Sequence, residues 1–276
     1  MISTNDDKLI LRERQLGIQI LNKCSLNCKL CATYTQEYKR SGIEYISSID
    51  EIMREIDAVF TLYDFIDDIT VTGGEPLLHK DLDRILLYLL KYQNQYNVSR
   101  VFTNGTIIPD KNIIDMMKKF QAKLQIVVNH YGKLSKHTED IKNISIEYGF
   151  NVRINDYSKE NPYSGGWVDF GPLSEYRSYT DMDVIKQFNN CHEANWKCLI
   201  VYKGQLHLCP ASLHGSLFKH FKPKEDEFID FFDNSVSFEK KRQIAAGLGK
   251  KVITACQYCN GFDIKNSRRV VPAEQV

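Results

Sequence analysis

The sequence has almost no surplus of charge of either sign: 36 Lys and Arg stand against 35 Asp and Glu in 276 residues, a formal charge of +1. This removes any bulk electrostatic reason to expect a nucleic-acid backbone or an anionic membrane surface as a partner. Long apolar runs are also lacking. The longest, around Ile85 to Leu90, falls far short of the roughly 18 to 20 residues a bilayer crossing needs, so no membrane span is expected. The start, Met1 to Lys8, is polar and carries both charge signs. It lacks the basic start, apolar block and small-residue cleavage site of a secretory signal, and the expected location is cytoplasmic. No tandem repeat or low-complexity tract interrupts the chain, and the basic stretch Lys265 to Arg269 reads as a solvated end.

What the sequence does have is cysteine, eight in all, and clustered. Cys24, Cys28 and Cys31 sit together, Cys191, Cys198 and Cys209 form a second group, and Cys256 and Cys259 close the set. A chain this long can bury a core without disulfide staples, and clustering at short spacing in a reducing compartment points to metal ligation.

From Leu16 to about Asp156, short β-branched runs alternate with helical-period segments, the pattern of βα units on a parallel sheet. The strands are Ile18–Leu21, Ile69–Thr72, Val101–Thr103, Leu124–Val128 and Val152–Ile154, with Trp167–Phe170 as a sixth. Ser48 and Glu51 form a capping-box pattern ahead of a helix with Ile52, Ile56 and Val59 on one face. Gly149 is placed to cap a helix ending at Tyr148. Further on, Leu199–Tyr202 and Gln205–Leu208 flank Lys203-Gly204 as a hairpin. Helices are expected near Phe228–Phe232 and over Phe238–Leu248. The long loop Asn22–Ser47 holds the first cysteines, and loops after the C-terminal ends of barrel strands are where such folds place chemistry.

Cys24, Cys28 and Cys31 form a C-x3-C-x2-C run directly after an apolar strand. Three thiolates on one loop can hold three corners of an iron-sulfur cluster and leave one iron open for a small molecule. The alternatives are unrelated core cysteines or a zinc knot, which would need a fourth ligand such as His79 or His130. At the end of the second strand stands Gly73-Gly74-Glu75-Pro76. Its glycines let a ligand approach bare backbone, and its carboxylate can accept hydrogen bonds from a cationic amine.

With C-x3-C-x2-C followed about 40 residues later by GGEP in a βα series, the chain resembles the radical S-adenosylmethionine (radical SAM) enzymes. The resemblance covers about residues 16 to 172 and implies an α/β fold, a partial (β/α)6 TIM-type barrel. It implies that Cys24, Cys28 and Cys31 bind a [4Fe-4S] cluster whose open iron is chelated by SAM, and that Gly73, Gly74, Glu75 and Pro76 hold the SAM amine. Cleavage of SAM then gives a 5′-deoxyadenosyl radical that takes a hydrogen atom from substrate, with an electron from a reductant such as flavodoxin or ferredoxin. Thr103, Asn104, Asn129 and Arg153 are further candidate SAM contacts at the barrel mouth. One departure is visible: the residue before the third cysteine, commonly aromatic in the family, is Leu30.

Cys209 ends a G-x4-C pattern from Gly204, and Cys256-x2-Cys259 follows. Such a hairpin strand and turn can bring three sulfurs together, with Cys191 or Cys198 as the fourth. The pattern resembles the C-terminal Twitch or SPASM extension of radical SAM enzymes, which implies a second, auxiliary [4Fe-4S] cluster on Cys191, Cys209, Cys256 and Cys259. A zinc site on the same four cysteines is the alternative. The expected division is an N-terminal extension at 1–16, the barrel at 17–172 and the auxiliary-cluster domain at 173–276. Cys198 is left over. It is either a small buried hydrophobe or a thiol that gives a hydrogen atom to a substrate radical, as an epimerase requires.

Peptide-modifying family members often begin with a leader-binding domain, and a first strand near Gly17 leaves no room for one. The expected substrate is therefore a small polar molecule, such as a sugar, aminocyclitol or nucleotide sugar, that is oxidised or epimerised. Peptide modification and a non-catalytic iron-sulfur or zinc protein are the alternatives. Asp169, Arg177, Glu193, His207 and His214 are polar residues able to move a proton or grip hydroxyls, with no basis in sequence for ranking them.

Overall fold

The computed structural model describes residues 9–276; the reading of Met1 to Lys8 lies outside the described residues. In chain order the elements are β1 (Arg12–Gln19), α1 (Thr35–Arg40), α2 (Ile49–Leu62), β2 (Phe65–Thr72), α3 (Leu82–Leu89), β3 (Tyr96–Thr103), α4 (Lys111–Lys119), β4 (Leu124–His130), α5 (Thr138–Tyr148) and β5 (Val152–Asp156). After these come β6 (Trp167–Val168), α6 (Asp181–Asn190), α7 (His192–Trp196), β7 (Leu199–Tyr202), β8 (Gln205–His207), α8 (Pro210–Leu217), β9 (Phe228–Asp230), α9 (Phe238–Gly247) and β10 (Arg269–Val270).

Eight strands form one sheet in the order β5-β4-β3-β2-β1-β7-β8-β9. β1 to β5 are parallel neighbours, and β7 adds parallel to the free edge of β1, with Leu16 opposite Leu199 and Ile18 opposite Val201. This is the α/β fold of a partial TIM-type barrel. Helices cover one face, where Leu16, Ile18, Ile69, Val71, Val101, Ile126 and Val128 join the core with Ile52, Ile56 and Val59 of α2. The capping box at Ser48 and Glu51 forms as its spacing predicts, fixing where α2 starts and so which side chains it turns inward.

Four expectations are corrected. The segment Phe228–Phe232 holds no helix but begins with the strand β9, antiparallel to β8, because sheet pairing overrides a short apolar run that periodicity cannot classify. Trp167–Val168 does not extend the barrel but pairs with β10 in a separate two-stranded sheet. β1 begins at Arg12, inside the segment read as an extension. The basic stretch is solvated at Lys265 and Arg268 but not at Arg269, which lies in β10 with its guanidinium over the Phe262 ring. The Lys203-Gly204 hairpin forms as expected, with both turn residues at positive φ. It is an extension of the barrel sheet itself.

Candidate functional site

The loop after β1 carries Cys24, Cys28 and Cys31, and its position is set by β2. Pairing between the two strands continues past their ends: Ile20 N donates to Thr72 O at 2.9 Å, Gly74 N to Leu21 O at 3.1 Å and Glu75 N to Lys23 O at 3.0 Å. This close approach is why two glycines stand here. A Cβ on Gly73 would overlap Leu21 O and one on Gly74 would overlap Lys23 O, immediately before Cys24. Pro76 is buried at the start of the turn that follows.

Glu75 does not present its carboxylate to a ligand, which corrects the amine-gripping role expected for its side chain. It is 0% exposed, Oε2 accepts from Asn104 N at 2.8 Å and Oε1 from Leu77 N at 3.1 Å. Burial nonetheless raises its pKa to about 7. Glu75 therefore ties the end of β2 to the end of β3, and the Gly73-Gly74 backbone is what lies beside the cysteine loop. Asn104 passes the tie on: its Nδ2 donates to Ser25 Oγ at 3.0 Å and approaches Cys24 Sγ at 3.5 Å. Thr103 is buried and accepts from Gly105 N at 3.2 Å.

The donor set around the three sulfurs is one that cluster thiolates use. Cys24 Sγ is approached by Leu26 N at 3.5 Å as well as by Asn104, Cys28 Sγ by Gln275 Nε2 at 3.3 Å, and Cys31 Sγ by the hydroxyls of Thr33 at 3.2 Å and Thr35 at 3.5 Å. Burial first, then the neighbouring thiols, pushes Cys24 up to about 11 and Cys28 up to about 12. Thiols raised in this way stay protonated unless a bound cation stabilises them as thiolates. The residues fit an iron-sulfur cluster. His79 is not available as a zinc ligand, since Nε2 meets Ser47 O at 2.8 Å and Nδ1 accepts from Asp81 N at 3.2 Å. His130 Nδ1 is bonded to Thr138 Oγ1 at 2.9 Å.

The sheet face away from the helices mixes polar side chains with Val98, Phe102 and Val127. Leu16 and Ile18 belong to the helix-side core, so period-two alternation turns Gln15 and Gln19 to the barrel interior, and the same parity places Asp68, Thr70, Arg100, Gln125, Asn129, Arg153 and Asn155 there. Contacts agree: Arg100 Nε donates to Gln125 Oε1 at 2.8 Å and its guanidinium pairs with Asp68, while Asn155 Nδ2 donates to Asn129 Oδ1 at 2.9 Å. Asn129 thus lies at the strand ends as expected, whereas Arg153 stands two residues back and is exposed. Sequence reasoning missed Gln19 and Asn155. Gln19 is 0% exposed, and both its amide atoms, with Thr70 Oγ1 and Asn155 Oδ1, find no partner among the described residues. The signal was present but partial: in β1, Gln15 and Gln19 alternate with Leu16 and Ile18, and in β5, Arg153 and Asn155 alternate with Val152 and Ile154.

The second cysteine group is brought together from three places. Cys191 lies between α6 and α7, Cys209 starts α8, and Cys256 and Cys259 sit on the turn around residues 254–257. All four line one apolar cavity, with Phe170 and Leu208. Among the described residues, no three His, Cys, Asp or Glu are close enough to clasp a single metal ion. Gln187 Nε2 anchors the turn by donating to Cys256 O and Cys259 O, each at 3.0 Å. Burial pushes Cys256 up to about 11 and Cys259 to about 12, and raises Cys209 as well.

Cys198 does not line that cavity. It precedes β7 at the end level with Leu16, while the Cys24 loop leaves the opposite end of the parallel strand β1. Its thiol is raised by burial and by the Glu193 carboxylate, to which it donates. The structure thus sets Cys198 apart from the first cysteine loop. Tyr34 does the reverse: three residues after Cys31, it packs against Cys259 and Cys209 and so joins the two cysteine groups. Its ring lies 5.4 Å from that of His214.

His214 and His207 are both 0% exposed, with Nδ1 of each bonded to a hydroxyl, Tyr38 at 2.8 Å and Ser212 at 2.9 Å. Burial lowers both from 6.5 to about 3. The unfolded chain therefore takes up these protons first, and the stability present above pH 6.5 is lost as pH falls from 6.5 toward 3. Below 6.5, each histidine is expected to cost about 1.4 kcal/mol per pH unit. Denaturant unfolding across this range should show a shallower decline in a His207→Gln/His214→Gln protein. An equal decline would remove the histidines as its source. Of the other polar candidates, Asp169 pairs with Arg268 at 3.4 Å and Arg177 donates to Asn260 Oδ1 at 2.8 Å, both structural ties.

Residues 18–144, the stretch from β1 into α5 that carries the first cysteine loop, match the family model of the radical SAM superfamily. Among curated proteins the chain is similar to GTP 3′,8-cyclase of Aquifex aeolicus, 25% identical over 162 residues covering 54% of this chain and 49% of that protein. It is also similar to 7-carboxy-7-deazaguanine synthase of Halobacterium salinarum, 36% identical over 94 residues, 33% of this chain and 32% of that protein. The chain spans about half the length of the first of these relatives and about a third of the second. Among solved structures, BtrN in complex with AdoMet and 2-DOIA shares the fold, with a TM-score of 0.54 and 15% identity over 97% of this chain and 100% of that one. No helix among the described residues is long and apolar enough to cross a membrane.

Proposed function

We propose that this protein is a radical SAM enzyme that oxidises a small polar substrate and uses a second, auxiliary [4Fe-4S] cluster. The observation that carries the reading is the first cysteine loop: three sulfurs, each met by hydrogen-bond donors, held against the bare Gly73-Gly74 backbone at the C-terminal mouth of the barrel. Cys24, Cys28 and Cys31 would hold a [4Fe-4S] cluster which, reduced by flavodoxin or ferredoxin, would supply the electron that splits SAM to methionine and a 5′-deoxyadenosyl radical. Glu75 and Asn104 fix the loop, and the Gly73-Gly74 backbone lies where the SAM amine would be met.

The polar barrel interior supports a small polar substrate. Buried amide and hydroxyl atoms without partners are costly unless a ligand or water satisfies them, and Gln19, Thr70 and Asn155 stand beneath the mouth. Oxidation is favoured over epimerisation because Cys198, the donor thiol that epimerisation would need, is set apart from the mouth, while Tyr34 brings Cys209 and Cys259 next to the first loop. Four thiols around a shared cavity suit a multi-atom cluster better than zinc, whose sulfurs must meet one point at about 2.3 Å. Cys191, Cys209, Cys256 and Cys259 are its proposed ligands, and 173–276 the region built around it.

The test is anaerobic reconstitution with iron and sulfide, then dithionite and SAM. 5′-Deoxyadenosine should accumulate well above the level given by a Cys24→Ala protein; equal amounts from the two would end the reading.

A further inference from the structure

The chain beyond β10 folds back over the first cysteine loop. Ala273 turns it at φ 55 and is 1% exposed. Residues 274–276 then lie antiparallel to residues 27–29, with Gln275 bridged to Cys28. Lys29 N donates to Glu274 O at 2.7 Å and Val276 N to Asn27 O at 2.9 Å, and an exposed ion pair joins Lys29 and Glu274 at 3.0 Å. The Gln275 side chain uses both its ends. Oε1 accepts from Asn27 N at 2.8 Å, and Nε2 donates to Ala273 O at 2.7 Å and to Cys28 Sγ at 3.3 Å.

Cys24 and Cys31 receive their donors from the barrel mouth and from residues close to them in sequence, at Leu26, Asn104 and Thr35. Cys28 is approached from a segment nearly 250 residues away in sequence. A hydrogen bond to a cluster sulfur favours the more negative, reduced state and so raises the reduction potential. An amide donor held by two further bonds is fixed in place to do so.

We infer that residues 273–276 form a strap over the Cys28 corner of the SAM-binding cluster, and that Gln275 is a positioning residue that raises that cluster's reduction potential through its Nε2–H···Sγ bond. The inference rests on the radical SAM reading. It makes the first cluster dependent on the C-terminal region: a change in how that region folds alters how readily the barrel's cluster is reduced.

The experiment compares the parent with Gln275→Ala, Gln275→Glu and Glu274→Ala, each reconstituted anaerobically. The potential of the SAM-responsive cluster is followed by EPR during redox titration, and amide hydrogen exchange of residues 24–31 is measured in the iron-free proteins. Gln275→Ala should disfavour reduction about tenfold, about 59 mV for a one-electron couple, and Gln275→Glu should disfavour it further by placing a carboxylate on the sulfur. Amides of residues 24–31 should exchange faster in both. Glu274→Ala, which removes only an exposed ion pair, should match the parent. Potentials and exchange rates equal to the parent in both Gln275 proteins would overturn the strap alone, whereas a parent that cleaves no SAM would overturn the enzyme reading beneath it.

Discussion

Replacing Cys24, Cys28 or Cys31 by Ala is expected to abolish 5′-deoxyadenosine formation and to remove about four irons from a parent carrying about eight, by the stoichiometry of two [4Fe-4S] clusters. Replacing Cys209 should also remove about four irons but leave SAM cleavage in place, with substrate oxidation lost. The two sets of sulfurs come from separate parts of the chain, one from the loop at 24–31 and the other from positions 191 to 259, and only the second set lines the apolar cavity. Each set should therefore empty on its own. A cluster with three protein ligands does not survive the loss of one, because two corners are then exposed to solvent and exchange. Iron and sulfide content, zinc analysis and nucleoside chromatography are the measurements. A Cys209→Ala protein that loses zinc in place of iron would convert the second site to a structural zinc site. A Cys24→Ala protein as active as the parent would remove the first site from the chemistry.

Gly74→Ala is expected to disable the enzyme without touching a sulfur. The new Cβ would overlap the carbonyl of Lys23, which is backbone and cannot swing aside, and that carbonyl already accepts from Glu75 N at 3.0 Å. Relief requires the two chains to part just where Cys24 begins. Overpacking of this kind costs about 1 to 3 kcal/mol, and a displacement of about 1 Å at a reacting site costs about a hundredfold in rate. The expected result is a folded protein of reduced stability that yields about a hundredfold less 5′-deoxyadenosine. Gly247→Ala is the comparison, since a Cβ there meets nothing within 4 Å; it should stay within about 0.5 kcal/mol of the parent. Equal behaviour of the two variants would show that the glycines at the barrel mouth serve no close approach.

Much of the fold was legible because it is local. β-branched runs alternating with one-faced helices mark βα units, and the Ser48–Glu51 box marks a helix start within four residues. Misreadings arose where partner strands decide the outcome. Phe228–Asp230 is a strand because β8 lies beside it, and Trp167–Val168 leaves the barrel because β10 pairs with it. At the site, sequence spacing located both cysteine groups. It did not show that Glu75 turns inward to hold Asn104, that Gln19 and Asn155 line the interior, or that Gln275 reaches Cys28.

The sequence by itself determined that three thiols share one loop, because Cys24, Cys28 and Cys31 lie within eight residues; the pairing of β2 with β1 is what sets Gly73 and Gly74 against them. Spacing named Cys191, Cys209, Cys256 and Cys259 as a set, but tertiary structure decided that they line one cavity, where Cys198 lies and what approaches Cys28. Each of those depends on β7 docking against β1 and on the chain after β10 folding back over the loop, pairings between residues far apart in sequence that no local spacing encodes.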